Sequence, residues 1–131
     1  MKQFAVASSK KIEVIDITKQ VQDQLAANEQ GLCLVYCPHT TAALMIGENE
    51  QDLMKDYERV ADTLFAGSRP FLHCGRGNPN AEAHIFSALR GCSVLVPVEQ
   101  GQLQLGGFQS ILLFELDGPR ERQVRIYINS G

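Results

Sequence analysis

The residues able to do chemistry are concentrated between Cys37 and His84. The run C-P-H-T-T-A at 37–42 carries His39, Thr40 and Thr41; G-E-N-E at 47–50 carries Glu48 and Asn49; and H-C-G-R-G-N-P-N-A-E-A-H at 73–84 carries His73, Asn80 and His84. All three histidines of the protein fall in this stretch, in or beside turn-forming residues. Imidazoles and carboxylates on loops are the usual carriers of acid–base work and of ligand binding. Glu48, at the exit of an apolar strand, could serve as metal ligand, general base or cation binder. His73 and His84 are too far apart in sequence for a chelating pair such as H-E-x-x-H. They become a site only if the fold brings them together with Glu48 or His39.

Each of these residues also has a plainer reading. His39 could do no more than bond a backbone carbonyl, and Thr40 and Thr41 are ordinary strand formers. Asn49 reads as a helix N-cap with Asp52 three residues on, and Asp56 as a solvated helix charge. Asn80 is expected to cap a helix whose first N–H groups favour an anion by roughly 0.3–1 kcal/mol. His84, four residues past that cap, can lean back toward the same end. Gly75-Arg76-Gly77 is either an anion-binding nest or a turn. Arg120 and Arg122 are either a phosphate clamp or a solvated basic edge. The chain contains no G-x-S-x-G, no P-loop and no G-x-G-x-x-G.

The elements that must position these residues follow from periodicity and turn chemistry. Residues 2–8 and 11–16 read as two strands joined by a tight turn at 8–10. A helix is expected over about 17–28 with Ile17, Val21 and Leu25 on its apolar stripe. Leu32–Tyr36 and Ala42–Ile46 are near-continuous apolar runs, hence buried strands, with residues 39–41 at a bend between them or inside one long bent strand. A second helix is expected over about 50–66, with Leu53, Tyr57, Val60 and Leu64 as its apolar face. The loop from Gly67 to Pro79 is long enough to suggest function. A third helix follows over about 80–90 and ends at Gly91. Cys92–Val98 reads as a strand, and Phe108–Leu116 and Gln123–Ile128 as a hairpin across Asp117-Gly118-Pro119-Arg120. The sum is a single α+β domain over 1–131, with about seven strands in a curled, mainly antiparallel sheet, sandwich or barrel-like, and three helices.

Composition narrows the function classes. The net charge of −3 argues against a nucleic-acid partner, which usually needs a basic face, yet leaves room for a small basic pocket. No apolar run reaches the ~18 residues of a membrane span. The four cysteines form no C-x-x-C pair, and without a secretion signal they are expected reduced, in a cytoplasmic protein. Cys33 and Cys37 would share a strand face about 13 Å apart, too far to bridge. Cys33 and Cys92 are expected to be inert, and Cys74 accessible.

Three runs together resemble one family. H-T-T-A-A-L-M-I-G-E-N-E, the later H-x-x-x-x-x-x-N-A-x-A-H, and P-V-E-x-G-x-L-x-L-G-x-F-Q-S-I are similar to the YjbQ family, also known as the secondary thiamine-phosphate synthase enzyme family, from about Thr18 to Gly131. The resemblance implies a compact α+β fold with a curled sheet, assembled as a homotrimer, and a polar pocket between subunits. It implies roles for His39, Thr40, Thr41, Glu48, Asn49, Asp56, His73, Asn80, His84, Gln109, Arg120 and Arg122. It further implies transfer chemistry on a small phosphorylated metabolite: joining hydroxymethylpyrimidine diphosphate to thiazole phosphate with release of pyrophosphate. Catalysis would fall to Glu48, His73 and His84, which could also hold a divalent ion, magnesium or zinc; the remaining residues would bind substrate. The rival reading is a metal- or metabolite-binding homotrimer without turnover. Three positions depart from the family pattern: Gly47 for asparagine, Cys74 for aspartate and Phe108 for tryptophan.

Overall fold

The computed structural model describes residues 1–73 and 79–130. Cys74 and the Gly75-Arg76-Gly77 run lie outside the described residues. Among the described residues eight strands form two antiparallel sheets. The larger, ordered β1-β8-β3-β5-β6, contains β1 (Lys2–Ala7), β3 (Gly31–Tyr36), β5 (Ser93–Glu99), β6 (Gln102–Leu103) and β8 (Glu121–Asn129). The smaller, ordered β2-β7-β4, contains β2 (Glu13–Asp16), β4 (Ala42–Gly47) and β7 (Ser110–Glu115). The two orders match strand for strand. β1 runs on into β2, β3 into β4, and β7 into β8, so three long strands each bend once and the two sheets are the two arms of one curled sheet.

That geometry corrects two expected hairpins. β1 pairs with β8 and β2 with β7, while β7 and β8 do not pair with each other. Residues 8–12 and Asp117-Gly118-Pro119-Arg120 are therefore corners rather than hairpin turns. Residues 37–41 form the third corner, in keeping with the bent-strand reading. Gly118 is packed where the first and last corners touch: its N–H bonds the Lys11 carbonyl at 2.9 Å, and a Cβ there would come within 2.6 Å of Ser8 Oγ.

Helices close the curl. α1 (Thr18–Asp23) is shorter than the periodicity suggests. It seats Val21, with Ile17 just before it, in the interior formed by Cys33, Val35, Leu44, Val96, Ile111, Leu113 and Val124. α2 (Gln51–Thr63) and α3 (Ala81–Arg90) cover the opposite face of the small sheet, where Ala61, Ala83, Leu112 and Phe114 form a second core. β4 and β7 are thus buried on both faces, which is why they read as unbroken apolar runs. The expected α2 stripe is offset. Met54, Tyr57 and Ala61 pack inward, Tyr57 against Phe114 at 5.7 Å, while Val60 and Leu64 are exposed. β3, expected buried, is covered on one face only; Leu32 and Tyr36 are exposed on the other.

Candidate functional site

The three corners meet around a buried ion pair. Arg122, at the start of β8, donates Nε to Glu115 Oε1 at 2.9 Å and Nη2 to Glu115 Oε2 at 2.5 Å. Nη2 also reaches the Thr41 carbonyl at 3.0 Å and its hydroxyl at 2.8 Å. Ser8 donates to Glu115 at 2.8 Å, and the Asp117 N–H at 3.0 Å. Burial pushes the Glu115 carboxyl up, but the Arg122 guanidinium and these two donors outweigh it and hold the group below its ordinary value. Each corner therefore contributes a ligand to one ion pair: Ser8 from the first, Thr41 from the second, Asp117 from the third. Arg122 is neither a solvated edge nor a free phosphate clamp; its Nε and Nη2 are committed to the corner.

His39 lies beside this pair. Its Nε2 accepts the Gln123 backbone N–H at 2.9 Å, a structural bond, though to a donor rather than to the expected carbonyl. Burial, with the Arg122 guanidinium adding to it, holds its imidazole below the ordinary value. Thr41 is buried and engaged by Arg122, and Thr40 is exposed on the bend.

A second polar group continues outward from the ion pair. Asp117 Oδ2 accepts from Arg120 Nη2 at 2.9 Å and from Asn80 Nδ2 at 3.0 Å. Asn80 Oδ1 meets His73 Nε2 at 2.8 Å. The His73 and His84 rings stand edge to face, with centroids 5.1 Å apart and planes at 81°. The fold thus brings together His73, His84, Asn80 and Arg120. Asn80 holds the N-cap position of α3 through its backbone, accepting the His84 N–H at 3.2 Å, but its side chain makes no capping bond. The expected cap is absent because the amide is drawn away to Asp117 and His73.

Beside this group is a cavity of about 450 Å³ between α2, the 69–73 loop and the start of α3, within the size range of small-molecule sites. Ile12, Ala61, Phe71, Ala83 and Leu116 form apolar wall; Lys11, Asp62, His73 and Asn80 supply polar groups. Arg69, also on the rim, is taken up by Glu82 at 2.9 Å through both Nε and Nη2.

The remaining expected residues lie elsewhere. Glu48 and Asn49 follow β4, and Gln109 precedes β7. In the register Gly47 faces Ser110 and Ala42 faces Glu115. The two ends of that ladder are about 17 Å apart at ~3.4 Å per residue, so Glu48 does not reach His73 and His84 within one chain. Asn49 is not the α2 cap: Glu50 is, accepting Asp52 N–H at 2.7 Å and Leu53 N–H at 3.1 Å. Asn49 Nδ2 instead donates to Asp16 at 2.8 Å. Burial pushes Asp16 up, but bonds from Thr18, Asn49 and Ser110 hold it below its ordinary value. Gln109 folds back to accept the Gly106 N–H at 2.8 Å, and Asp56 is an exposed helix charge. Asp117 and Lys11 are members of the site that the sequence did not single out. Among the described residues no cluster of three or more histidines, cysteines or carboxylates could hold a metal ion, so the combination of His73, His84 and Glu48 does not form a metal site in one chain.

The sequence pattern of the family described as UPF0047 protein YjbQ-like matches residues 2–131. An Archaeoglobus fulgidus UPF0047 protein is 43% identical over 122 residues, covering 93% of this chain and 95% of the relative. The UPF0047 protein YugU of Bacillus subtilis is 38% identical, covering 93% of each. Among solved structures, a hypothetical protein from Aeropyrum pernix aligns with a TM-score of 0.90 at 36% identity over 99% of this chain and 98% of its own. A YjbQ/UPF0047 protein from Clostridium acetobutylicum aligns at 0.88 with 34% identity, covering 98% of this chain and 100% of its own.

Proposed function

The chain belongs to the YjbQ-like UPF0047 family, and from that membership and the cavity beside His73 we propose a small-molecule enzyme of phosphorylated-metabolite metabolism. The carrying observation is the convergence of His73 and Asn80, from a loop and a helix start, on one side of an apolar-walled cavity, with the His84 ring packed against His73 and lining the adjoining pocket. An apolar wall with a few fixed polar groups is the make-up of a ligand site. Lys11 at the rim and the imidazoles supply cation and donors for phosphate oxygens, and His73 or His84 supplies the acid–base group. The specific reaction proposed is weak thiamine-phosphate synthase activity, with pyrophosphate leaving toward those donors. Glu48 has no part in it within a single chain. Among the described residues a divalent ion, zinc or magnesium, would find the two imidazoles here besides the ligand's own oxygens, so no step is routed through one.

The proposal includes self-association as a homotrimer. Support comes from the outer face of the large sheet, where Leu32, Tyr36, Leu95 and Tyr127 are exposed. A solvated face of an antiparallel sheet is normally polar, and an apolar patch edged by polar residues marks an association surface. No helix among the described residues is long and apolar enough to cross a membrane.

The deciding experiment is steady-state turnover with the two thiamine precursors, in wild type and in His73→Ala and His84→Ala. The enzyme reading expects turnover that each variant loses while melting stays nearly unchanged. Ligand binding without turnover would instead favour the non-catalytic metabolite-binding homotrimer. If His84→Ala lowers the melting temperature and keeps ligand affinity, His84 is a structural residue and the site is misplaced.

A further inference from the structure

We infer that Asp117, acting through Asn80, is the positioning residue that fixes the tautomer of His73. This rests on reading the His73 cavity as a ligand site. An amide side chain has one donating and one accepting end, and the partner that can only accept decides which way it faces. Asp117 Oδ2 already takes an N–H from Arg120 at 2.9 Å, and Glu115 Oε2 holds the Asp117 backbone N–H at 3.0 Å. Asp117 is almost fully buried and behaves as an acceptor. The Asn80 end turned to it must be the Nδ2 donor, at 3.0 Å. The end turned to His73 is then the carbonyl oxygen, at 2.8 Å from Nε2. A carbonyl cannot donate, so His73 carries its proton on Nε2, and in the neutral ring the lone pair is on Nδ1.

That assignment gives the neutral His73 one chemical face. Its Nδ1 is the atom that can take a proton from a ligand or bind an electrophile, and Nε2–H is the orienting bond. The arrangement is the one by which a second partner sets the tautomer of a working imidazole. His39 is an internal contrast. Its Nε2 accepts the Gln123 N–H at 2.9 Å, so the neutral ring carries its proton on Nδ1. The two histidines are therefore locked in opposite tautomers, one by an amide carbonyl and one by a backbone N–H.

Long-range proton–nitrogen correlation spectra of the ¹⁵N-labelled protein, taken where imidazoles are neutral, read this directly. Assignment comes from the signals lost in His73→Gln and His39→Gln. The expected result is a single Nε2–H form for His73 and a single Nδ1–H form for His39. In Asp117→Asn, and independently in Asn80→Leu, His73 should become a mixture while His39 stays unchanged. Pyrophosphate titrated into the same samples is expected to shift the His73 signals, and to bind the variants on the order of tenfold more weakly. A mixed or Nδ1–H His73 in wild type overturns the inference, and so do variants that leave a single form. If the tautomer is not fixed but pyrophosphate still moves His73, the positioning role fails and the site reading stands. A fixed tautomer with no response to pyrophosphate overturns the site reading instead, and with it the functional meaning of Asp117.

Discussion

Breaking the Arg122–Glu115 pair tests whether the corner holds the fold. Glu115 is fully buried, and the Arg122 side chain is 4% exposed. Replacing Arg122 by Met strips Glu115 of its two guanidinium bonds and leaves only Ser8 and the Asp117 N–H. It also releases the Thr41 carbonyl and hydroxyl. Glu115→Gln leaves the guanidinium buried without its counter-charge. Breaking a buried pair by removing one partner costs about 3–5 kcal/mol. For a domain of this size that lowers the melting temperature on the order of 10–20 °C. Urea unfolding followed by circular dichroism gives the cost of each variant and, with the double variant Arg122→Met/Glu115→Gln, the coupling between the sites. The double variant should lose less than the sum of the singles, because no charge is left buried alone. The dependence on pH has a definite sign. Glu115 is held below its ordinary value in the folded protein, so the stability this gives is fully present above the ordinary glutamate value. It drains away as pH falls through the lower folded value, and the gap between wild type and Arg122→Met should close over the same acid range. Two single variants each within about 1 kcal/mol of wild type, the worth of an exposed surface pair, would refute the reasoning.

The other tests are simpler. Gly118→Ala places a methyl group against the Lys10 carbonyl and within 2.6 Å of Ser8 Oγ; overpacking of this kind costs about 1–3 kcal/mol, and thermal melting against Gly107→Ala, where the added Cβ meets nothing within 4 Å, isolates it. Burial raises the Cys33 thiol to about 11 and that of Cys37 to about 12, so iodoacetamide at pH 8 should leave both unmodified while Cys74 reacts first, as mass mapping of the labelled peptides would show. Light scattering in dilute solution should return three times the 14.5 kDa chain mass, and Leu95→Arg on the outer sheet face should lower it; the mass of one chain in wild type would sink the homotrimer.

Much of the fold was legible because it follows from local chemistry. β4 and the Ile111–Phe114 run of β7 are apolar without a break and are covered on both faces. The misreadings come from contacts distant in sequence. Leu32–Tyr36 looks as apolar as β4, yet only one of its faces is covered, and composition cannot say which side of a strand another element will occupy. Asp117-Gly118-Pro119-Arg120 has the residues of a hairpin turn, but residues more than a hundred positions away decide its path. Ser8 Oγ accepts the Arg120 N–H at 2.9 Å, and the Ser8 N–H reaches the Arg120 carbonyl at 2.9 Å. Those bonds tie the last corner to the first, so the strand bends into the other arm instead of folding back. The α2 stripe slipped because Ala61, small enough to let the helix lie close on the sheet, carries little weight in a hydrophobic pattern against Val60 and Leu64.

The candidate site was legible in part for the same reason. His73, Asn80 and His84 are near in sequence, and a loop feeding a helix brings them together. Asp117 gave no signal, because an acid in a turn is ordinary until the corner places it behind Asn80. The family motifs group Glu48, Asn49 and Gln109 with the histidines, but the length of a strand separates them. β4 carries the chain from the corner beside Asp117 to the far end of the small sheet, and Glu48 leaves there, about 17 Å away by strand geometry. That span constrains any mechanism. Chemistry confined to one chain has to be done by the His73 end, with Asp117 and Asn80 behind it and Lys11 at the rim. Chemistry that also needs the Glu48 carboxylate has to take it from a second copy. The two cases separate in mixed assemblies of His73→Ala and Glu48→Ala chains: activity that returns when the two inactive variants are combined places both ends in one shared site, and activity that Glu48→Ala never loses leaves the His73 end to work alone.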